Sequence, residues 1–426
     1  MNRHPVQHLR ALVPLLLAIT LSSCGLVEIL RVARLVKGGR IDRKDFCETV
    51  DFTLTDKLLY VSARVGESDD HYRFVLDSYA VNVVYPTLAR TNALEPFVLS
   101  GALAEQLKGT LLAPQIVKFP EITIGSLAFR NTAGFLINEE FSDPLLDYLG
   151  DGLIGANLMK NCIWQIDFQD TTLTITDDLA RCRHIDRALS VPFTPHQAQR
   201  SPDVHLNGPD GLECELQFDT GSNRFLTLRT PRAAEYVAAH PAVKIFRTSS
   251  LTMDRAGRTE EISHLVLLPW VTVGSESFRN LPVEIVATEE PELVDTGTMG
   301  NAFMRHFTVT IDWPGETIYL LPQPDNPLRH TIRTFGLEYD IREGSMYVSQ
   351  LYEGSQAQET GIGVGDRILA VNGYDVTALS PGEIQRFQYG RVRYAALEES
   401  TIRLSVMTEA GLTEVALEAY DLFASH

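Results

Sequence analysis

Between Leu212 and Phe218 the chain alternates: Leu212, Cys214, Leu216 and Phe218 are apolar, while Glu213, Glu215 and Gln217 are polar. A period of two marks a strand buried on one face, and this strand runs directly into Asp219-Thr220-Gly221-Ser222. A carboxylate at a strand end is held rigidly, and the glycine lets the backbone turn tightly. The Thr220 and Ser222 hydroxyls can donate hydrogen bonds that fix the acid. Apolar runs of similar character lead to Asp77 (Phe74-Val75-Leu76), to Asp167 (Trp164-Gln165-Ile166) and to Asp312 (Val309-Thr310-Ile311). Helical patterning is sparse. The clearest helix spans Thr230 to Ala239, opened by Thr230 with Pro231 at its first position. The pattern predicts a mainly β chain.

Two blocks repeat. Asp151-Gly152-Leu153-Ile154-Gly155-Ala156-Asn157-Leu158-Met159 leads to Ile166-Asp167-Phe168, and Thr296-Gly297-Thr298-Met299-Gly300-Asn301-Ala302-Phe303-Met304 leads to Ile311-Asp312-Trp313. Each holds two glycines three apart, a short helical turn, and a strand ending Ile-Asp-aromatic; Gly152 to Asp167 and Gly297 to Asp312 are both 15 positions. The offset, 300 − 155 = 145, carried back from Asp219 points near residue 74. There Phe74-Val75-Leu76-Asp77-Ser78-Tyr79-Ala80 repeats the strand-into-acid pattern, with Asp77 142 positions before Asp219. The chain therefore reads as a duplication with one acidic loop and one glycine pair per copy. Asp295-Thr296-Gly297 also spells Asp-Thr-Gly, but the repeat aligns Gly297 with Gly152, so Asp295 is set aside as coincidence.

Charge narrows the partners. The 426 residues carry 55 acidic against 37 basic side chains, a net charge of −18, which repels phosphate backbones, so no nucleic-acid partner is expected. Arg3 and Arg10 precede an apolar run, Ala11 to Leu21, too short to span a bilayer, which takes roughly 20 residues. Leu21-Ser22-Ser23-Cys24-Gly25 resembles a bacterial lipobox. That implies a signal peptide over 1–23, lipidation of Cys24, a tether or short helix over 24–48, and anchoring in the cell envelope. Gly25 resembles signals that direct lipoproteins to the periplasmic side of the outer membrane. Cys47, Cys162, Cys182 and Cys214 either pair, Cys162 with Cys182 as a local bridge, or remain buried thiols. With no CxxC, HExxH or histidine cluster, neither metal nor cofactor is expected.

Two β-rich copies, each bringing an Asp on a strand-loop and then a glycine pair, resemble the aspartic peptidases, and specifically the bacterial retropepsin-like family whose chains end in a PDZ domain. The resemblance covers roughly residues 50–420. It implies two pseudo-symmetric retropepsin-like β-barrel lobes, 49–187 and 188–322, facing each other across a cleft. Peptide bonds of a peptide or protein substrate would be hydrolysed by a water activated between Asp77 and Asp219. Thr220 would bond across to the other lobe, Ser222 would bond the outer oxygen of Asp219, and Gly221 would offer its N–H. Ser78 supplies a hydroxyl where Thr is usual, and Ala80 replaces a supporting Ser. Tyr79 stands where Gly is expected, and at positive φ it would be strained. A peptide-binding lipoprotein that does not cut, and a homodimer pairing two Asp219 loops, stay open beside a monomeric peptidase. Covers over the cleft are expected around Ser100 to Thr110 and Met253 to Arg258.

Gln323 to Pro327 reads as a linker. Beyond it, 328–424 resembles an α+β PDZ domain, with Phe335-Gly336-Leu337-Glu338-Tyr339 and the run Gly361 to Gly373 similar to the family signature. The resemblance implies a groove between the strand at Gly336 and Leu337 and a helix around Pro381 to Tyr389, taking a peptide as an added strand.

Overall fold

The computed structural model describes residues 38–55, 58–100, 112–138, 150–196, 200–239, 243–251, 258–288, 296–328, 332–342, 344–380 and 400–423, with a few single positions between them. Cys24, the segment preceding it and Asp295 lie outside the described residues.

Strands dominate, and their burial follows what covers them. Glu213–Phe218 alternates between exposed and buried positions, as its sequence predicts. Ile163–Asp167 and Phe307–Asp312 are buried at every position, because they lie at the centre of a sheet. That antiparallel sheet runs in the order Leu189–Pro192, Thr317–Pro322, Phe307–Asp312, Ile163–Asp167, Thr172–Thr176, Cys47–Thr55. Its central pairing joins the two copies: Ile163 faces Asp312, Gln165 faces Thr310, and Asp167 faces Thr308. Under the 145-residue offset Gln165 and Thr310 are equivalent, so this register obeys a local two-fold through that pair. Gln165 Nε2 donates to Thr310 Oγ1 at 2.9 Å there.

Each copy then builds the same local arrangement. Tyr72–Asp77 lies parallel to Gly152–Gly155, with Asp77 opposite Gly155. Glu213–Phe218 lies parallel to Thr296–Met299, with Phe218 opposite Met299. On the far side of each glycine strand runs a short antiparallel strand, Val83–Val84 or Leu226–Arg229. Each of these is parallel in turn to one arm of a long hairpin, Leu127–Ile137 or Glu276–Val286. Phe74, Leu76, Ile154 and Trp164 from one copy and Leu216, Phe218, Phe303 and Ile311 from the other belong to one continuous core.

A separate core occupies 335–417. Its strands Leu337–Arg342, Ser345–Tyr352, Arg367–Val371, Thr401–Thr408 and Gly411–Glu418 pair in succession. Ser345–Tyr352 also pairs with Val243–Leu251 of the second copy, Phe246 facing Tyr352 and Thr248 facing Gln350. Phe246, Leu265, Tyr352 and Leu422 close a small core at this junction. Of the helix expected around Pro381 to Tyr389, Glu383 and Phe387 are described and helical, and Phe387 packs into the C-terminal core.

Several expectations need correction. The expected tether or short helix is helical at Val32 and Arg34 but also contains a strand, Arg40–Ile41, paired with Leu127–Ile137, because an open sheet edge takes up neighbouring backbone. The helix runs Ala233–Ala239; Thr230 lies ahead of it, its hydroxyl accepting the Arg232 N–H at 3.2 Å. In the segment from Ser100 to Thr110, Ala104, Glu105 and Leu107 are helical rather than part of a hairpin. Near the second expected cover Val243–Leu251 pairs with Arg258–Val273 up to Leu251 opposite Arg258, and residues 252–257 between them lie outside the described residues. Cys162, Cys182 and Cys214 are buried free thiols and Cys47 is an exposed one. No Cys162–Cys182 bridge forms, since Cys162 points into the main core while Cys182 lies within electrostatic reach of Cys47.

Candidate active site

Asp77 ends Tyr72–Asp77, and Asp219 follows Glu213–Phe218, its N–H bonded to Met299 O at 3.0 Å. The two carboxyls lie within side-chain hydrogen-bonding reach of each other, and a Cβ on Gly221, two residues past Asp219, would strike the Asp77 carboxyl. Both residues are half-buried, which leaves surface for a small molecule to touch them.

The loops are crossed beneath the acids. Ser78 N–H donates to Thr220 Oγ1 and Thr220 N–H donates to Ser78 Oγ, both at 2.9 Å. Each hydroxyl passes its own proton to the opposite strand: Thr220 Oγ1 to Leu76 O at 2.9 Å and Ser78 Oγ to Phe218 O at 2.6 Å. Ser78 and Thr220 are both fully buried. Four bonds thus tie the copies together next to the acids, and Ser78 matches Thr220 bond for bond.

Each acid sits in a cradle of amides. Asp77 Oδ1 accepts from Tyr79 N (2.9 Å) and Ala80 N (2.8 Å). Asp219 Oδ1 accepts from Gly221 N at 2.8 Å, while the Ser222 amide donates to Asp219 O at 3.2 Å and lies near enough to the carboxyl to lower its pKa. The Ser222 hydroxyl accepts instead from Arg224 N at 3.3 Å, so the expected side-chain bond to the outer oxygen of Asp219 is replaced by a main-chain one. Burial raises the pKa of Asp77, and the Ala80 and Tyr79 amides partly offset the rise. Asp219 is pushed well above the ordinary carboxylate range, by burial first and then by the charge of Asp77. Two contacting carboxyls cannot both ionise readily, so the pair holds one proton and titrates as a unit.

The glycine pairs explain why the loops come so close. A Cβ on Gly155 would collide with the backbone of Ala80 and Val81, and one on Gly300 with the carbonyls of Arg224 and Ser222. The residues just after these glycines hold the loops. Asn157 Oδ1 accepts from Asn82 N at 2.7 Å, and Asn82 Oδ1 accepts from Gly155 N at 2.8 Å. In the second copy, Asn301 N donates to Ser222 O at 2.8 Å and its Nδ2 to Thr220 O at 2.5 Å. The sequence reading passed over Asn82, Asn157 and Asn301 as site residues. The signal was present in part, as both blocks carry an Asn within two residues of the second glycine.

Tyr79 is not strained: it is absent from the residues with positive φ. Its ring does not separate the acids. Instead the phenol O–H donates to Asp203 Oδ1 at 2.8 Å, and its pKa is pushed far up by burial and by Asp203. In the other loop a side chain at Gly221 would collide with the Asp77 carboxyl. Positions 79 and 221 are therefore alike in sequence place and unlike in surroundings. Sequence reasoning also missed Asp203, which no local motif marks.

In the C-terminal core, Gly336 adopts φ +90° just before Leu337–Arg342. Its carbonyl accepts from Tyr352 N at 2.9 Å, and a Cβ there would press on Ser355. Leu337–Arg342 pairs on one side with Ser345–Tyr352.

Residues 331–391 match the PDZ domain family, and PDZ domains bind extended peptides by strand addition. No curated protein matches the chain.

Proposed function

We propose that this chain is an aspartic-type endopeptidase built from two retropepsin-like lobes, with a PDZ domain that binds peptide segments or termini. The observation that carries the reading is the approach of Asp77 to Asp219 at the ends of equivalent strands, with two loop amides on the Asp77 carboxyl and the Gly221 amide on that of Asp219. With one proton between two acids, the ionised carboxyl accepts a proton from a water held against both, and the protonated one donates to the scissile carbonyl oxygen. Water adds to the carbonyl carbon directly, so no acyl-enzyme forms; the tetrahedral intermediate then collapses with cleavage of the C–N bond, the amine leaving with the proton that the first carboxyl took from water while the second recovers its own from the hydroxyl. Thr220, Ser78, Gly221 and Ser222 hold the pair in register, and Gly336 and Leu337 bear the peptide edge of the PDZ domain.

One chain supplies both carboxyls, which removes the need for a homodimer and favours a monomer. Tyr79, in the place its sister loop gives to glycine, favours a second reading: a protease-like protein that binds peptides without cutting. The lipobox-like Leu21-Ser22-Ser23-Cys24-Gly25 supports, for either protein, the further proposal of a lipid anchor on Cys24 in a bacterial envelope, at the periplasmic side of the outer membrane.

The test is hydrolysis of an unfolded protein substrate at mildly acidic pH by the purified chain and by Asp219→Asn. Cleavage by the first and none by the second supports the peptidase. Equal cleavage by both, or none by the wild type, overturns it, and the latter outcome with retained peptide binding supports the second reading.

A further inference from the structure

Tyr79 is gripped at both ends by one segment of the second copy. Its carbonyl accepts from Ser201 Oγ at 3.0 Å, and its phenol donates to Asp203 Oδ1 at 2.8 Å. Asp203 lies on Pro202–Asn207, opposite Gln217 of Glu213–Phe218, the strand that runs into Asp219. The Tyr79 amide, meanwhile, is one of the two that hold Asp77. A single residue therefore links the cradle of one acid to the strand supporting the other. Gly221 cannot do the same in reverse, because any side chain there would strike Asp77.

We propose that Tyr79 and Asp203 are a positioning pair for Asp77: the phenol-to-carboxyl bond fixes the 79–80 amides on Asp77 Oδ1. The kinetic arm of this proposal rests on the peptidase reading; the structural arm does not. The phenol-to-carboxyl bond is short and partly buried, and although burial raises the Asp203 pKa the phenol pulls it back. The loop below it is already pinned by Ser78 and Thr220, so losing the latch lets the 79–80 amides tilt without freeing the whole loop. Asp77 then loses part of the stabilisation of its charged form, and its pKa rises further. Besides those amides, Asp77 faces Asp219 and the Gly221 backbone. Asp203 faces Tyr79, His196 and Glu215.

The experiment uses the full chain with Tyr79→Phe, Asp203→Ala, Asp203→Asn and the Tyr79→Phe/Asp203→Ala double variant. Tyr79→Phe and Asp203→Ala should each lower kcat about tenfold with KM within about twofold, and move the acid limb of kcat/KM upward by about half a unit. The double variant should be no worse than either single one. Asp203→Asn keeps an oxygen that accepts the phenol proton and should stay near wild type. Unchanged kcat and pH profile in Tyr79→Phe, or additive losses in the double variant, overturn the proposal. The same four variants are compared by their urea midpoints. Non-additive shifts in a wild type that cuts nothing would keep the latch and discard the peptidase; additive shifts would discard the latch whether or not the chain cuts.

Discussion

Thr220→Val tests the crossed loops directly. Valine keeps the shape of threonine, so the packing is conserved and only the hydroxyl is lost. That hydroxyl accepts the Ser78 N–H and donates to Leu76 O, both at 2.9 Å, among residues with no exposed surface. Removing it leaves one buried amide and one buried carbonyl without partners. Each such group costs about 1–3 kcal/mol; with some relaxation the sum is about 2–4 kcal/mol. In a cooperative unit larger than 250 residues each kcal/mol moves the melting temperature by about 1–2 °C, so a fall of roughly 2–8 °C is expected by calorimetry at neutral pH. The control is Thr220→Ser, which keeps both bonds and loses one methyl group, about 1 kcal/mol. If the valine variant melts no lower than the serine variant, the hydroxyls do not hold the copies together, and the account of a rigid acid pair fails.

Three further outcomes follow from burial and charge. Burial and the charge of Asp77 hold the Asp219 pKa well above its ordinary 3.8, so the folded chain keeps a proton that the unfolded chain gives up, and stability falls as pH rises through that interval. Asp219→Asn should therefore raise the melting temperature at pH near 7.5 and leave it unchanged near pH 2.5, well below the ordinary carboxylate pKa, where both forms are protonated; an equal shift at both pH values contradicts the assignment. Iodoacetamide should label the exposed Cys47 in the native chain and spare Cys162, Cys182 and Cys214, burial pushing the Cys182 thiol up to about 12 and out of its reactive thiolate form; mass mapping that finds Cys182 labelled as fast as Cys47 refutes this. Phe246 is buried with its ring 5.3 Å from that of Tyr352, so Phe246→Ala, at about 3–5 kcal/mol for a core phenylalanine, should split the melting of the C-terminal core from the rest; an unchanged transition would mean the junction carries little.

Much of this arrangement was legible because duplication turns one ambiguous strand into two that check each other. The 145-residue offset, set by pairing Gly155 with Gly300, pointed to the acid loop at Asp77, and the parallel registers of Asp77 with Gly155 and Phe218 with Met299 match it. Burial patterns were legible where one face meets solvent, as in Glu213–Phe218, and ambiguous for the fully buried Ile163–Asp167, whose periodicity its two covered faces erase. Arg40–Ile41 escaped notice because two residues have no period; they become a strand only when a partner edge is at hand. Thiol pairing was equally out of reach, since spacing along the chain does not say which way Cys162 points.

What the duplication could not reveal is where the copies must agree and where they are free to differ. Agreement is enforced where backbones approach: a side chain at 155 or 300 would strike the neighbouring loop, and a hydroxyl at 78 and 220 satisfies amides and carbonyls that water cannot reach. Positions 79 and 221 are under no shared constraint. The first faces Asp203 and has room for a ring; the second faces Asp77 and has room for nothing. From one sequence, tyrosine in the glycine place reads as damage, because the pattern of the sister loop is the only standard available. In three dimensions neither loop needs positive φ there, so the substitution carries no backbone strain. Its consequence lies instead in a bond to a residue 124 positions away, a distance over which no local motif has reach.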